Sequence, residues 1–238
     1  MCGRYSLTKS PQEIGKYFDV RVPEGLERPA SWNIAPTEDV LGIVGGEEGR
    51  ELRLLHWGMF IPVASEAKPK LVINAKAETA PERRSFRELI AKAEHRVIVP
   101  ADGWYEWLER QPYAFEVPGR EVIGLAGLVK DVTIDGETRS ACVILTCNPA
   151  GNQIASETHD RTPAVLADRK EQQEWMDPGV GAEHAASLCR VLPQSRLRRR
   201  RANPMLNRPD AENGPHLLKG SSTKPEPAQP GQEQLQLL

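Results

Sequence analysis

A cysteine at position 2, in the opening MCGRYS, is the first residue of this chain that could do uncommon chemistry. Initiator methionine is removed when the next residue is small, and removal would leave Cys2 with a free α-amine beside its thiol. The α-amine is a weaker base than a lysine, so a useful fraction is unprotonated near pH 7. An ionised thiol is the most nucleophilic side chain available. Together they can trap an aldehyde: the amine forms a Schiff base and the sulfur closes a five-membered thiazolidine. The plain alternative is an incidental small residue, and six residues do not separate the two.

Three further side chains could assist. Glu106 lies among Trp104, Tyr105 and Trp107. A carboxylate among aromatics is costly to ionise, and a raised pKa would suit proton transfer. Strand alternation equally allows it to face outward. His159, in HDRTP, has an ordinary pKa that permits proton donation and acceptance near neutrality, although a lone histidine is more often structural. His56, His95, His184 and His216 are read as structural. Asn74 ends the apolar run Leu71-Val72-Ile73, where its amide could bind a substrate or simply close a turn.

The elements that must position these residues follow from pattern. Ser10-Pro11-Gln12-Glu13 is a capping box opening a short helix that ends near Phe18. Strands are expected at Val40 to Val44 and Leu52 to Trp57, around a Gly45-Gly46 turn. Residues 79–94 read as the clearest helix, with Thr79 as cap and Phe86, Leu89, Ile90 and Ala93 on one face. A strand starts at Val97 and another runs from Trp104 to Trp107. Pro118-Gly119 and Asp135-Gly136 read as hairpin tips. Ala141 to Thr146 is a buried strand, and Lys170 to Met176 and Glu183 to Cys189 are helical. Many short strands with few helices between them predict one α+β domain of mostly antiparallel strands.

Composition narrows the classes. The 238 residues suit a single domain of generous size with a real core. Hydrophobic and charged fractions of 39% and 27% are those of a soluble protein, with no apolar run of membrane length and no export signal. Four cysteines without a C-x-x-C, and scattered histidines, predict no disulfide, no zinc site and no cofactor. A cytoplasmic protein is expected. The net charge of −2 leaves nucleic-acid binding to local basic patches.

CGRY at 2–5, NAKAET at 74–79, ADGWYEW at 101–107 and HDRTP at 159–163 together resemble the SOS-response-associated peptidase (SRAP) family, over about residues 2 to 218. That resemblance implies a barrel-like sheet core flanked by short helices in residues 1–218, with a flexible tail at 219–238. It also implies a monomer working near the nucleoid, which shields abasic sites in single-stranded DNA. The processed Cys2 would attack the ring-opened sugar aldehyde and end as a thiazolidine crosslink. In the same terms Asn74 would contact the sugar or the Cys2 amine. Glu106 would hold that amine and move protons, and His159 would act as acid/base. Arg4, Arg161 and Lys76 would grip phosphates, guanidinium groups in a bidentate fork, and Trp57 would either offer a surface for base stacking or simply be core. The family name fits best the removal of the protein's own methionine.

Three departures stand out. Relatives commonly carry further tryptophans soon after the proline of HWGMFIP, whereas this chain continues Pro62-Val63-Ala64-Ser65. RLRRRR at 196–201 reads as a basic loop, solvated or in contact with phosphates. The ending Gln234-Leu235-Gln236-Leu237-Leu238 resembles the short motif with which repair proteins dock on a sliding clamp through Gln234, Leu235, Leu237 and Leu238. Two other functions compete with this one. A cysteine hydrolase with an N-terminal nucleophile would also need an oxyanion hole, for which no signal is visible. A noncovalent DNA binder would not need Cys2.

Overall fold

The structure, a computed structural model, describes residues 2–46, 49–62, 68–134, 136–208 and 210–220. Its strands are β1 (Arg4–Leu7), β2 (Ser31–Ile34), β3 (Asp39–Gly46), β4 (Gly49–Trp57), β5 (Met59–Ile61), β6 (Lys70–Val72), β7 (Asn74–Lys76) and β8 (Arg96–Ala101). After these come β9 (Gly103–Leu108), β10 (Gln111–Glu116), β11 (Ile123–Ile134), β12 (Glu137–Cys147), β13 (Thr162–Pro163), β14 (Val165–Leu166) and β15 (Arg198–Arg201). The helices are α1 (Pro11–Phe18), α2 (Arg87–Ala91), α3 (Gln153–Ser156), α4 (Arg169–Trp175) and α5 (Ala182–Leu188).

Strands β12, β4, β3, β8 and β11 pair in that order, and β11 pairs back onto β12, closing a five-stranded barrel. All of these contacts are antiparallel except β12 with β4. A second sheet, ordered β15-β10-β9-β1-β2, packs on the barrel through Tyr5, Leu7, Trp104 and Phe115. This is the expected α+β, barrel-like architecture. The second half of β12, Ala141 to Cys147, is buried throughout, so it shows an apolar run in place of alternation. Among the described residues no helix is long and apolar enough to cross a membrane.

Local chemistry explains where the pattern held. Ser10 and Glu13 form the reciprocal capping box, and α1 ends at Asp19 in the left-handed region. The 79–94 helix is a correction. Residues 77–79 form a 3-10 turn, α2 spans only Arg87–Ala91, and another 3-10 turn follows at 93–95. Phe86, Leu89 and Ile90 are buried as expected, but they fill one turn, and Glu78 is held by Arg161, which keeps the preceding segment out of a helix.

Pro118-Gly119 is a turn without a hairpin. It carries the chain from β10, which stays in the second sheet, to β11 in the barrel. The hairpin in that region joins β9 to β10 through Glu109 and Arg110, both at positive φ (49° and 71°). Such a turn usually carries Asn or Gly, so no sequence cue marked it. Asp135 lies outside the described residues, but the strands flanking it pair up to Ile134 opposite Glu137, as a hairpin requires.

The basic run is also not a loop. Arg198–Arg201 form β15 on the edge of the second sheet, with Arg200 opposite Ala114. Arg198 and Arg200 share Glu116, and Arg199 lies over the Tyr113 ring and donates to Thr158 Oγ1 at 2.8 Å. Beyond it, Ala202, Leu206 and Leu217 cover Tyr105 and Ala114 in a small second core. The docking residues Gln234, Leu235, Leu237 and Leu238, and Val63 to Ser65, lie outside the described residues.

Candidate functional site

The register between β1 and β9 places Arg4 opposite Tyr105. Glu106 follows Tyr105 on β9 and Cys2 lies two residues before Arg4, so both come to that end of the sheet. From the barrel side, β7 runs parallel to β12 with Asn74 beside Ile144. Asn74 Nδ2 donates to the Cys2 carbonyl at 2.9 Å, across 72 residues of sequence. Three of the expected residues, Cys2, Asn74 and Glu106, thus meet where the two sheets come together. All three are buried. The Asn74 Oδ1 atom is buried with no hydrogen-bond partner among the described residues, so one acceptor stands ready beside Cys2.

Electrostatics distinguish the groups. Burial pushes the Cys2 thiol far above its ordinary value, and the Glu106 carboxylate adds to this, against the amino-terminal charge and the Arg4 N–H. The sulfur is therefore a neutral thiol at pH 7, held out of solvent. Burial likewise raises Glu106 from 4.5 to about 7, although the amino-terminal charge pulls it down. At neutral pH this carboxyl is present in both forms, as an acid/base group should be.

His159 is half-buried, and burial lowers its pKa, with the amino-terminal charge next, Asp160 opposing and Arg161 reinforcing. Its Nδ1 accepts from the Arg161 N–H at 3.0 Å and lies 2.6 Å from Asp160 Oδ1. One nitrogen cannot make both bonds in one state. A bare Nδ1 accepts from Arg161; a protonated one donates to Asp160.

The expected DNA ligands divide. Arg4 is half-buried at the site's edge, with Nη1 bonded to Asn33 Oδ1 at 2.6 Å. Lys76 is exposed on β7, two residues past Asn74. Trp57 needs correction: it is fully buried, it packs against Tyr5 at 5.4 Å between ring centroids, and its indole N–H donates to the Ile73 carbonyl at 3.0 Å. No face is left for a base to stack on, because the tryptophan closes the barrel behind the site. Arg161 is also corrected as an open phosphate fork. Its guanidinium meets both oxygens of Glu78, at 3.0 and 2.7 Å, and both oxygens of Thr146. Sequence reasoning missed Glu78, although it stands inside NAKAET; a carboxylate four residues from the amide was the available signal.

The profile of the SOS response associated peptidase (SRAP) family matches residues 1–209. Abasic site processing protein YoqW of Bacillus subtilis is 32% identical over 229 residues, covering 92% of this chain and 99% of that protein. Abasic site processing protein YedK of Escherichia coli is 27% identical, covering 79% and 85%. A crystal structure of a protein from Bacteroides thetaiotaomicron, 21% identical, superposes with a TM-score of 0.77 over 92% of this chain and all of its own, a likeness of fold. One from Bordetella bronchiseptica, 25% identical, gives 0.70 over 85% of this chain and all of its own. A family match over residues 1–209, with a relative this similar along nearly its whole length, means that the chain belongs to the SRAP family.

Proposed function

We propose that this protein processes abasic sites, the activity named for its relatives, and that it does so in single-stranded DNA and covalently through Cys2. The observation that carries the reading is the burial of Cys2 against Asn74 and Glu106. While Met1 is attached, the nitrogen of Cys2 is an amide and cannot form an imine. Loss of Met1 by hydrolysis turns it into an amine beside the thiol. Asn74 Oδ1, the unsatisfied acceptor, suits that new N–H or a sugar hydroxyl.

The chemistry then balances without a cofactor. The ring-opened abasic sugar presents an aldehyde. The Cys2 amine adds to it and water departs, carrying the aldehyde oxygen, with Glu106 in its protonated form as the proton source. The thiol adds across the C=N bond, sulfur to carbon and hydrogen to nitrogen, which closes the thiazolidine. In this reading His159 relays protons in opening the sugar, and Arg4 and Lys76 hold the phosphates. The tail and its clamp motif would serve to raise local concentration at replication forks.

The test is a denaturing gel of protein with native amino terminus, its loss of Met1 confirmed by mass spectrometry, mixed with single-stranded DNA bearing one abasic site. A slow band present with wild type and absent with Cys2→Ala is expected. Correctly processed wild type that gives no such band would sink the reading.

A further inference from the structure

Glu78 carries no reagent, yet it ties together the two segments that do. We propose that Glu78 is a positioning residue for His159, acting through Arg161, in the crosslinking reaction; the inference rests on the function proposed above. The carboxylate follows β7 by two residues, on the same short run as Asn74. Its Oε1 accepts from Arg161 Nη1 at 3.0 Å and from the Asn148 backbone N–H at 2.7 Å, and its Oε2 accepts from Arg161 Nη2 at 2.7 Å.

Arg161 completes the tie. Its Nε donates to Thr146 Oγ1 at 3.3 Å and its Nη2 also meets the Thr146 carbonyl, so every guanidinium nitrogen is engaged. The side chain is 10% exposed, and Glu78 is the carboxylate that balances its charge among the described residues. A buried cation without that partner would turn out to water. The backbone would follow, and the Arg161 N–H is the donor that meets His159 Nδ1 at 3.0 Å. Glu78 therefore fixes, at one remove, whether Nδ1 faces a donor or Asp160. Burial works against ionisation of Glu78, but the Arg161 fork and the backbone N–H groups outweigh it and hold the carboxylate below its usual range. It stays charged wherever the protein works.

Burial and the amino-terminal charge lower the His159 pKa, Asp160 raises it and Arg161 lowers it, so the tie through Glu78 predicts a pH signature. With Glu78 neutralised, the Arg161 charge is less balanced and depresses His159 further. The experiment measures single-turnover crosslinking to an oligonucleotide with one abasic site, from pH 5 to 9, for wild type, Glu78→Gln, Arg161→Gln and the double variant. DNA affinity is measured separately in a Cys2→Ala background. Glu78→Gln should lower the maximal rate constant about tenfold, leave Kd within about twofold, and move the acid limb of the profile to lower pH. The double variant should be no slower than the slower single one, because the two residues act as a unit. Glu78→Asp, which keeps the charge, should recover part of the rate and the original limb.

An unchanged rate and profile in Glu78→Gln overturns the inference, and so does tighter DNA binding, which would make Glu78 a competitor of phosphate for Arg161. If Glu78→Gln does not fold, Glu78→Asp decides: a maximal rate constant below wild type at unchanged Kd, with the original limb, supports the inference, and a wild-type rate constant overturns it. Wild type that forms no crosslink removes the underlying function and the inference with it. Wild type that crosslinks beside an equally fast glutamine variant removes the inference alone.

Discussion

Glu106→Gln isolates the cost of keeping an acid in the wall between the two sheets. The side chain is 3% exposed and its pKa is raised from 4.5 to about 7 by burial. A carboxyl whose folded value lies above its unfolded one favours the fold only while protonated. Its contribution is whole below pH 4.5, falls as pH climbs toward 7, and is constant above that. At roughly 1.4 kcal/mol per pH unit, the gap amounts to about 3 kcal/mol, most of which falls between pH 5 and pH 8.5. Glutamine keeps the shape and has no charge to bury. Urea denaturation of both proteins at those two pH values gives the difference directly. Wild type should lose about 2 to 3 kcal/mol relative to the variant on going to pH 8.5. Parallel stability curves would show that Glu106 ionises without penalty and would refute its assignment as a group poised near neutrality. Crosslinking by the variant should meanwhile fall by about a hundredfold at pH 7, the usual worth of a positioned acid/base.

Two further outcomes follow from burial and close contact. Trp57→Phe should cost about 2 kcal/mol in denaturation, because the Ile73 carbonyl loses its donor, while the affinity of folded protein for single-stranded DNA stays the same; a large loss of affinity would restore Trp57 as a stacking surface. Gly103→Ala sets a Cβ 2.3 Å from the Phe115 carbonyl oxygen across the β9–β10 ladder, and an overpacking cost of about 3 kcal/mol should appear as a lower thermal midpoint.

What could be read in advance depended on how local the cause was. The capping box of Ser10 and Glu13 acts within one turn, and α1 came out where its residues said. The aromatics around Glu106 left its face open, because alternate residues of a strand point opposite ways: Tyr105 and Trp107 turn to the small second core, and Glu106 is buried on the side of Cys2. The 79–94 helix failed because its cause was not local: its amphipathic spacing was real over Phe86 to Ile90, but Glu78 answers to Arg161, 83 residues away. Trp57 was ambiguous for the same reason, since the Ile73 carbonyl that claims its N–H belongs to another strand. The Glu109-Arg110 turn had no glycine to mark it and is held by the pairing of β9 with β10 on either side. Residues tied by partners distant in sequence were the ones the chain kept to itself.

The clasp between the two ends of the chain also sets a timetable. Arg4 reaches across to the Leu206 carbonyl, and the strand that follows Cys2 is framed by β9 and β2. On the ribosome the amino terminus emerges long before Leu206 has been made, so nothing can yet hold it. In that interval Met1 and Cys2 lie open to a processing enzyme, whereas afterwards the cysteine is sealed. Under the function proposed above, synthesis order would separate the step that creates the reagent from the step that shelters it. A slow aminopeptidase, or an unusually fast-closing variant, would leave a population of molecules locked with the methionine still in place.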